Sequence, residues 1–301
     1  MLCEPDWDDE VDVVCTDSAA AGFATAISTV DADGEVFLAG LPAVARSTEM
    51  ATHTSWFVPT GDELTDGYLA RLTDDIDVAG LVRREADVPV RPEGEPIRPR
   101  RRPIPPFEGW RLRDWAARCI PSPSGYLYTQ VTDWTSTLVD RGEGELFTVA
   151  EFGSLPSDAR PSLSSVRDWL ADAALERDIT PYPVSGFDRL VFEEGVVVGA
   201  VFSTDSGPMA VRARHGVLIC RDTTAPDSAP DGAPANPPRD AGDGRQAADG
   251  DLRVALVGKA ASRFGRVELV TANPDGQRNQ ADTDDPATAD PATASRTVTT
   301  W

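Results

Sequence analysis

One stretch near the start of the chain constrains the fold more than any other. Val11-Asp12-Val13-Val14-Cys15 reads as a short buried strand, residues 17–22 as a turn of small side chains, and residues 23–30 as a helix rich in Ala and Thr. Gly34 then ends the helix, and Glu35-Val36-Phe37-Leu38-Ala39 is a second strand. Strand, tight turn, helix and strand within about thirty residues is the size of one βαβ crossover. The fold class is therefore α/β, with a Rossmann-like βαβ core.

Further along, Leu64, Tyr68, Leu69, Leu72 and Ile76 give residues 62–80 a helical pattern, with Asp62 at the N-cap. Proline dominates residues 89–106, which predicts an extended connector rather than an element. Residues 110–119 form a short helix with Leu112, Trp115 and Cys119 on one face; 126–131 is strand-like, and 163–177 is another amphipathic helix. A β-meander follows. Runs at 187–192 and 196–203 are joined by Glu193-Glu194-Gly195, and Asp205-Ser206-Gly207-Pro208 leads into 209–214. His215 sits in a turn before the last strongly apolar strand, 216–220.

Composition then shifts. Residues 222–250 are nearly all Asp, Ala, Pro, Gly and Ser, with nothing to bury. Residues 252–257 and 266–270 are strand-like again, and beyond 272 the tail is polar, with Asp-Pro-Ala-Thr-Ala repeated over 285–294. The expected organisation is a domain over 8–222, a disordered linker over 223–250, a short β hairpin over 251–271 able to return to the core, and a disordered acidic tail over 272–301.

A net charge of −22 speaks against a nucleic-acid partner, because phosphate neutralisation needs clustered Lys and Arg. The one basic run, 98–102, is broken by proline and reads as a solvated loop. Cys3, Cys15, Cys119 and Cys220 are scattered and make no C-x-x-C pair. No apolar stretch approaches the length of a bilayer span, and no basic-then-apolar leader opens the chain. The expectation is a cytoplasmic protein with reduced thiols and no membrane partner.

The segment Val13-Val14-Cys15-Thr16-Asp17-Ser18-Ala19-Ala20-Ala21-Gly22-Phe23-Ala24 resembles the start of FAD-dependent flavoproteins of the fumarate reductase and 3-ketosteroid dehydrogenase family. Those begin with strand, G-x-G-x-x-G, helix. On that resemblance Asp17 stands at the first glycine, Ala19 at the second and Gly22 at the third. The first glycine permits the tight turn, the second lets the pyrophosphate approach, and the third lets helix and strand pack closely. Only the residue that serves the fold is kept. The family's ribose-binding acid, at the end of the second strand, falls here on Gly40, and Glu35 is at the wrong end to replace it. Residues 195–201 and 212–220 resemble the family's hairpin and following strand, but Arg221-Asp222 stands where the family has an Ala-Thr-Gly-Gly turn against the cofactor.

The resemblance thus implies an FAD-binding-type fold with Asp17, Ala19, Gly22 and Gly40 as a degenerate dinucleotide site. A carboxylate about 5 Å from a pyrophosphate charge costs roughly 3 kcal/mol at an effective dielectric near 20. That is about a hundredfold in affinity. Asp17 would alternatively cap the following helix. The reading is a non-catalytic scaffold or partner-binding protein without a cofactor, its partner a related intact flavoenzyme or another protein. Its rival is an FAD-dependent oxidoreductase with an atypical phosphate turn.

Other constellations are weaker. Gly258-Lys259 and Ser262 lack the glycine that a phosphate loop needs, since Arg253 stands there. No G-x-S-x-G elbow occurs, and His53 and His215 are the only histidines, too few for a His-based metal site. His53 lies near Ser55 and Trp56, and is read as a loop residue. The tryptophans, Trp56, Trp110, Trp115 and Trp134 among them, are read as packing residues.

Overall fold

The crossover implied by the sequence is formed by β1 (Asp9–Cys15), α1 (Ala20–Val30) and β2 (Val36–Gly40). The two strands are parallel, with Val13, Val14 and Cys15 opposite Val36, Phe37 and Leu38. The computed structural model describes residues 5–42, 57, 59–74, 76, 88–97, 109–131, 136–140, 145–156, 161–220 and 252–272. His53, Trp56, Trp134, the basic run at 98–102, the expected linker over 223–250 and the tail beyond 272 lie outside the described residues.

Helix α1 starts at Ala20, three residues before Phe23, because two alanines favour helix and carry it into Gly22. Ten of its residues, from Ala20 to Thr29, are buried. Small side chains let it lie close to the sheet on one side and to α4 (Leu163–Leu175) on the other. The helix ends at Val30, and the Gly34 N–H closes the turn on the Thr29 carbonyl at 2.9 Å. A Cβ at Gly34 would stand 2.9 Å from Thr29 Cγ2.

The remaining elements are α2 (Glu63–Thr73), β3 (Val90–Pro92), β4 (Glu95–Pro96), α3 (Gly109–Cys119), β5 (Gly125–Tyr128), β6 (Thr137–Asp140) and β7 (Leu146–Ser154) before α4. After it come β8 (Tyr182–Pro183), β9 (Gly186–Glu193), β10 (Val196–Thr204), β11 (Gly207–Cys220), β12 (Leu252–Lys259) and β13 (Phe264–Thr271). Asp62 caps α2 as expected, its carboxylate accepting from the Thr65 N–H at 2.9 Å. Ser162 and Ser165 form a capping box at the start of α4.

The strands join in the order β4-β6-β7-β12-β13-β5-β11-β1-β2-β8, with β10 and β9 continuing from the first half of β11. β11 is the spine. It runs parallel to β1 along one edge and pairs with β10 and then β5 along the other. The turn expected at His215 is instead a bulge within this one strand, where the register against β1 shifts and Gly216 has φ of 127°. Arg214 leaves the bulge to meet Glu10, Asp12 and Glu35 at 2.9, 3.1 and 2.9 Å. Those ion pairs hold the extra residue in place.

One further difference lies in the proline-rich stretch. Residues 89–106 were expected to hold no element, yet β3 pairs parallel with β13 and β4 pairs with β6. β12 and β13 lie in the middle of the sheet, between β7 and β5. Partners distant in sequence make β3 and β4, which local composition does not register, and they also draw the expected hairpin into the middle of the sheet.

Helices cover both faces. On one face α1 and α4 bury Ile27, Val166 and Leu170 against Val13, Leu218, Val254 and Leu269. On the other, α2 brings Leu69 against the meander core of Leu190, Phe202 and Val211. On that second face α3 also sets Trp115 and Cys119 on Phe147, Val149 and Val257. Each such side chain contributes roughly 1.5–3 kcal/mol when fully buried. Inside the antiparallel half, Glu268 is 1% exposed and accepts hydrogen bonds from both Arg91 and Arg266. Burial pushes its carboxyl up, but the hydrogen bonds and charges of Arg91 and then Arg266 outweigh this and hold it below the usual range.

Candidate functional site

In open α/β sheets ligands bind outside the carboxyl ends of the parallel strands. Here that location holds a cleft of about 150 Å³ where β1 and β11 end. Thr16 and Asp17 from the β1–α1 turn and Ile219 and Cys220 from β11 form its base. Leu41, Phe57, Leu69 and Phe187 supply apolar walls.

The turn is tightly built. The Thr16 N–H bonds to the Leu218 carbonyl at 3.0 Å, and the Cys220 N–H returns to Thr16 Oγ1 at 3.3 Å. The Cys220 thiol donates to the Asp17 carbonyl at 3.5 Å. Burial, and then the charge of Asp17, pushes that thiol well above its ordinary pKa, so it stays protonated and is no nucleophile. Cys15, also raised by burial, and Cys119 are buried too, and none of the three is in a disulfide.

Of the four residues read from the sequence, Asp17 lines the cleft; Gly40 sits one residue before its wall at Leu41. Gly22 lies behind the turn. A Cβ there would stand 1.9 Å from the Asp17 carbonyl oxygen, which is the close helix–strand approach the third glycine serves. Ala19, half-buried, is the N-cap of α1, with no side-chain hydrogen bond to the helix. Asp17 is therefore not the cap that Asp so often provides: it stands two residues too early.

The structure adds two features that the sequence did not suggest. Arg167, from α4, donates through Nε to the Ser18 carbonyl at 3.1 Å and so pins the turn from outside. Residues Pro181 and Tyr182 lie against Gly40, where an added Cβ would meet Pro181 Cβ at 3.0 Å and the Tyr182 carbonyl oxygen at 3.2 Å. Strand β8 pairs with β2 at this point. Neither contact leaves a local signal, since α4 and β8 are far from the turn in sequence. His215 Nε2 lies 3.6 Å from Asp12 in the β11 bulge, away from the cleft. Among the described residues no group of three His, Cys, Asp or Glu side chains is placed to hold a metal ion. Nor is any helix there long and apolar enough to cross a membrane.

No family model matches the chain, and no curated protein does. Among solved structures it is similar to the 3-ketosteroid-Δ4-(5α)-dehydrogenase from Rhodococcus jostii RHA1 in complex with 4-androstene-3,17-dione. The identity is 18%, over 71% of this chain and 46% of that one, with a TM-score of 0.29. It is also similar to the open conformation of a flavocytochrome c3 fumarate reductase, at 16% identity over 69% of this chain and 33% of that one, with a TM-score of 0.27. The chain thus spans less than half the length of either.

Proposed function

We propose that this chain is a non-catalytic protein on a flavoprotein-like βαβ frame, whose cleft no longer takes a dinucleotide and which works by binding another protein. The observation that carries the reading is Asp17. Asp17 lines the cleft and stands two residues before the N-cap of α1, where a pyrophosphate would meet the start of the helix. Three things support it. Ala19 adds a methyl group at the same turn. Gly40 offers no acid and lies against Pro181 and Tyr182. The cleft, at about 150 Å³, is smaller than the roughly 300–1,000 Å³ of most small-molecule sites. The residues present do not fit FAD, so no redox step is assigned to them.

Gly22, by contrast, serves only the frame, and a frame kept without its ligand suits a scaffold. An intact flavoenzyme of the family the sequence resembles is the first partner to test. The experiment starts from the purified full chain. We expect it to be colourless and to bind neither FAD nor ADP in calorimetry. The variant carrying both Asp17→Gly and Ala19→Gly should gain measurable ADP affinity. A yellow preparation with stoichiometric FAD would sink this reading and favour an oxidoreductase with an atypical phosphate turn.

A further inference from the structure

The antiparallel half of the sheet closes on itself. Strand β3 pairs with β13 and β4 with β6, and only Glu93 and Gly94 stand between β3 and β4. In a flat sheet those two pairings would lie on opposite sides of β13, β12, β7 and β6, roughly 24 Å apart at about 4.8 Å per strand. Three residue steps reach at most about 11 Å. The Glu93 N–H bonds to the Thr271 carbonyl of β13 at 2.9 Å. A Cβ on the next residue, Gly94, would stand 3.0 Å from the Asp140 carbonyl oxygen of β6. Residues 90–96 therefore act as one strand that seals β13 to β6, and the result is a small β-barrel.

Trp115 of α3 packs into one end of this barrel against Phe147. Beyond it, where β7 runs on from Val149 to Glu151, lies a cavity of about 350 Å³. It is larger than the cleft at Asp17 and within the range of small-molecule sites. Val139, Val149 and Val270 give it an apolar floor, with Pro92 and Pro96 beside them. Its charged residues are Arg91, Glu93 and Glu151. The charge of Arg91 is met inside the wall: it gives two hydrogen bonds to Glu268 and lies 4.2 Å over the Phe147 ring. Arg266, which shares Glu268, also lies over the Trp115 ring and donates to the Arg118 carbonyl near the end of α3. Glu93 and Glu151 are placed differently. Both are partly exposed, and one guanidinium, that of Arg253, serves the two of them at 2.7 and 2.8 Å. No other cation among the described residues pairs with either carboxylate. This end of the barrel thus carries one carboxylate more than its guanidinium can neutralise.

We propose that this end of the barrel is a binding site for a small primary amine, held as its ammonium ion. The ammonium takes the negative charge that Arg253 leaves over on Glu93 and Glu151, and the aliphatic body rests on the valines and prolines. A carboxylate ligand would meet two like charges here, and an alcohol gains the apolar contact without the ion pair. An apolar cavity of roughly 150 Å³ takes benzene, so this one has room for a six-membered ring and its ammonium.

The test titrates the isotope-labelled full chain at fixed salt with cyclohexylammonium, cyclohexanol and cyclohexanecarboxylate, following methyl chemical shifts. Saturable shifts at Val139, Val149 and Val270 are expected with the ammonium. The alcohol, which matches it in size, should bind roughly tenfold more weakly, and the carboxylate should not bind. Glu93→Gln and Glu151→Gln should each weaken the ammonium by roughly tenfold and leave the alcohol unchanged. If one of these variants does not fold, the other carries the comparison. A chain of net charge −22 attracts any cation, so ammonium shifts that are absent, or that grow linearly without saturation, overturn the proposal. So does alcohol or carboxylate binding as tight as that of the ammonium, or unchanged ammonium affinity in the folded variants.

Discussion

Gly22 and Asp17 sit in the same turn and answer to different forces. Gly22 is fixed by contact: its missing Cβ is the condition for α1 to start against the Asp17 carbonyl. Gly22→Ala should therefore destabilise by about 1–3 kcal/mol, the usual range for overpacking, through a lowered urea midpoint at unchanged slope. A wild-type midpoint would show that the turn yields freely and that the glycine has no packing role. This much was legible in the sequence, because the spacing of a third glycine after a strand has one geometric purpose. The surroundings of Gly40 were not. An acid placed there to recreate a ribose contact would have to displace Pro181 or Tyr182, which come from a segment over 140 residues away.

Elements were readable wherever their signal was local. α2 and its Asp62 cap, α3, α4 and the meander all lie close to where periodicity and turn residues put them. The antiparallel half was harder because it is stitched from distant strands, and its ionic centre joins β3 to β13. Glu268 supplies the test of that centre. Its folded pKa lies below the ordinary 4.5, so the stability it contributes is complete above that pH and is lost as pH falls through the folded value. We expect the urea midpoint to hold near neutrality and to drop as the pH goes below about 4.5. Asp12 adds to the same fall. The backbone N–H of Glu35, and then Arg214, hold its carboxyl below the usual range. Glu268→Gln leaves Arg91 and Arg266 without their buried counter-charge and should cost about 3–5 kcal/mol at neutral pH. Its acid dependence should be shallower than that of the wild type. An identical acid profile in the variant would mean that Glu268 is not what titrates.

At the scale of the whole molecule, the open question is whether the crossover and meander stand without the last strands. Sequence alone reads β12 and β13 as a hairpin after a composition break that is able to return to the core. Their central position in the sheet shows how far they are built into it. Val254, Ala255, Val257, Val267 and Leu269 are all completely buried, and they face the helices of both layers. At roughly 1.5–3 kcal/mol for each larger side chain, their loss approaches or exceeds the 5–15 kcal/mol by which a whole domain is usually stable. Removal would also open the ladders on β7 and β5 and leave Arg91 buried without Glu268. A chain ending at residue 250 should therefore lose its near-ultraviolet circular dichroism, bind a hydrophobic dye and unfold in urea without a cooperative transition. If that shortened chain instead unfolds cooperatively at the wild-type midpoint, the crossover with its meander is a self-sufficient unit. The antiparallel half would then be an attachment to that unit rather than part of what holds it together.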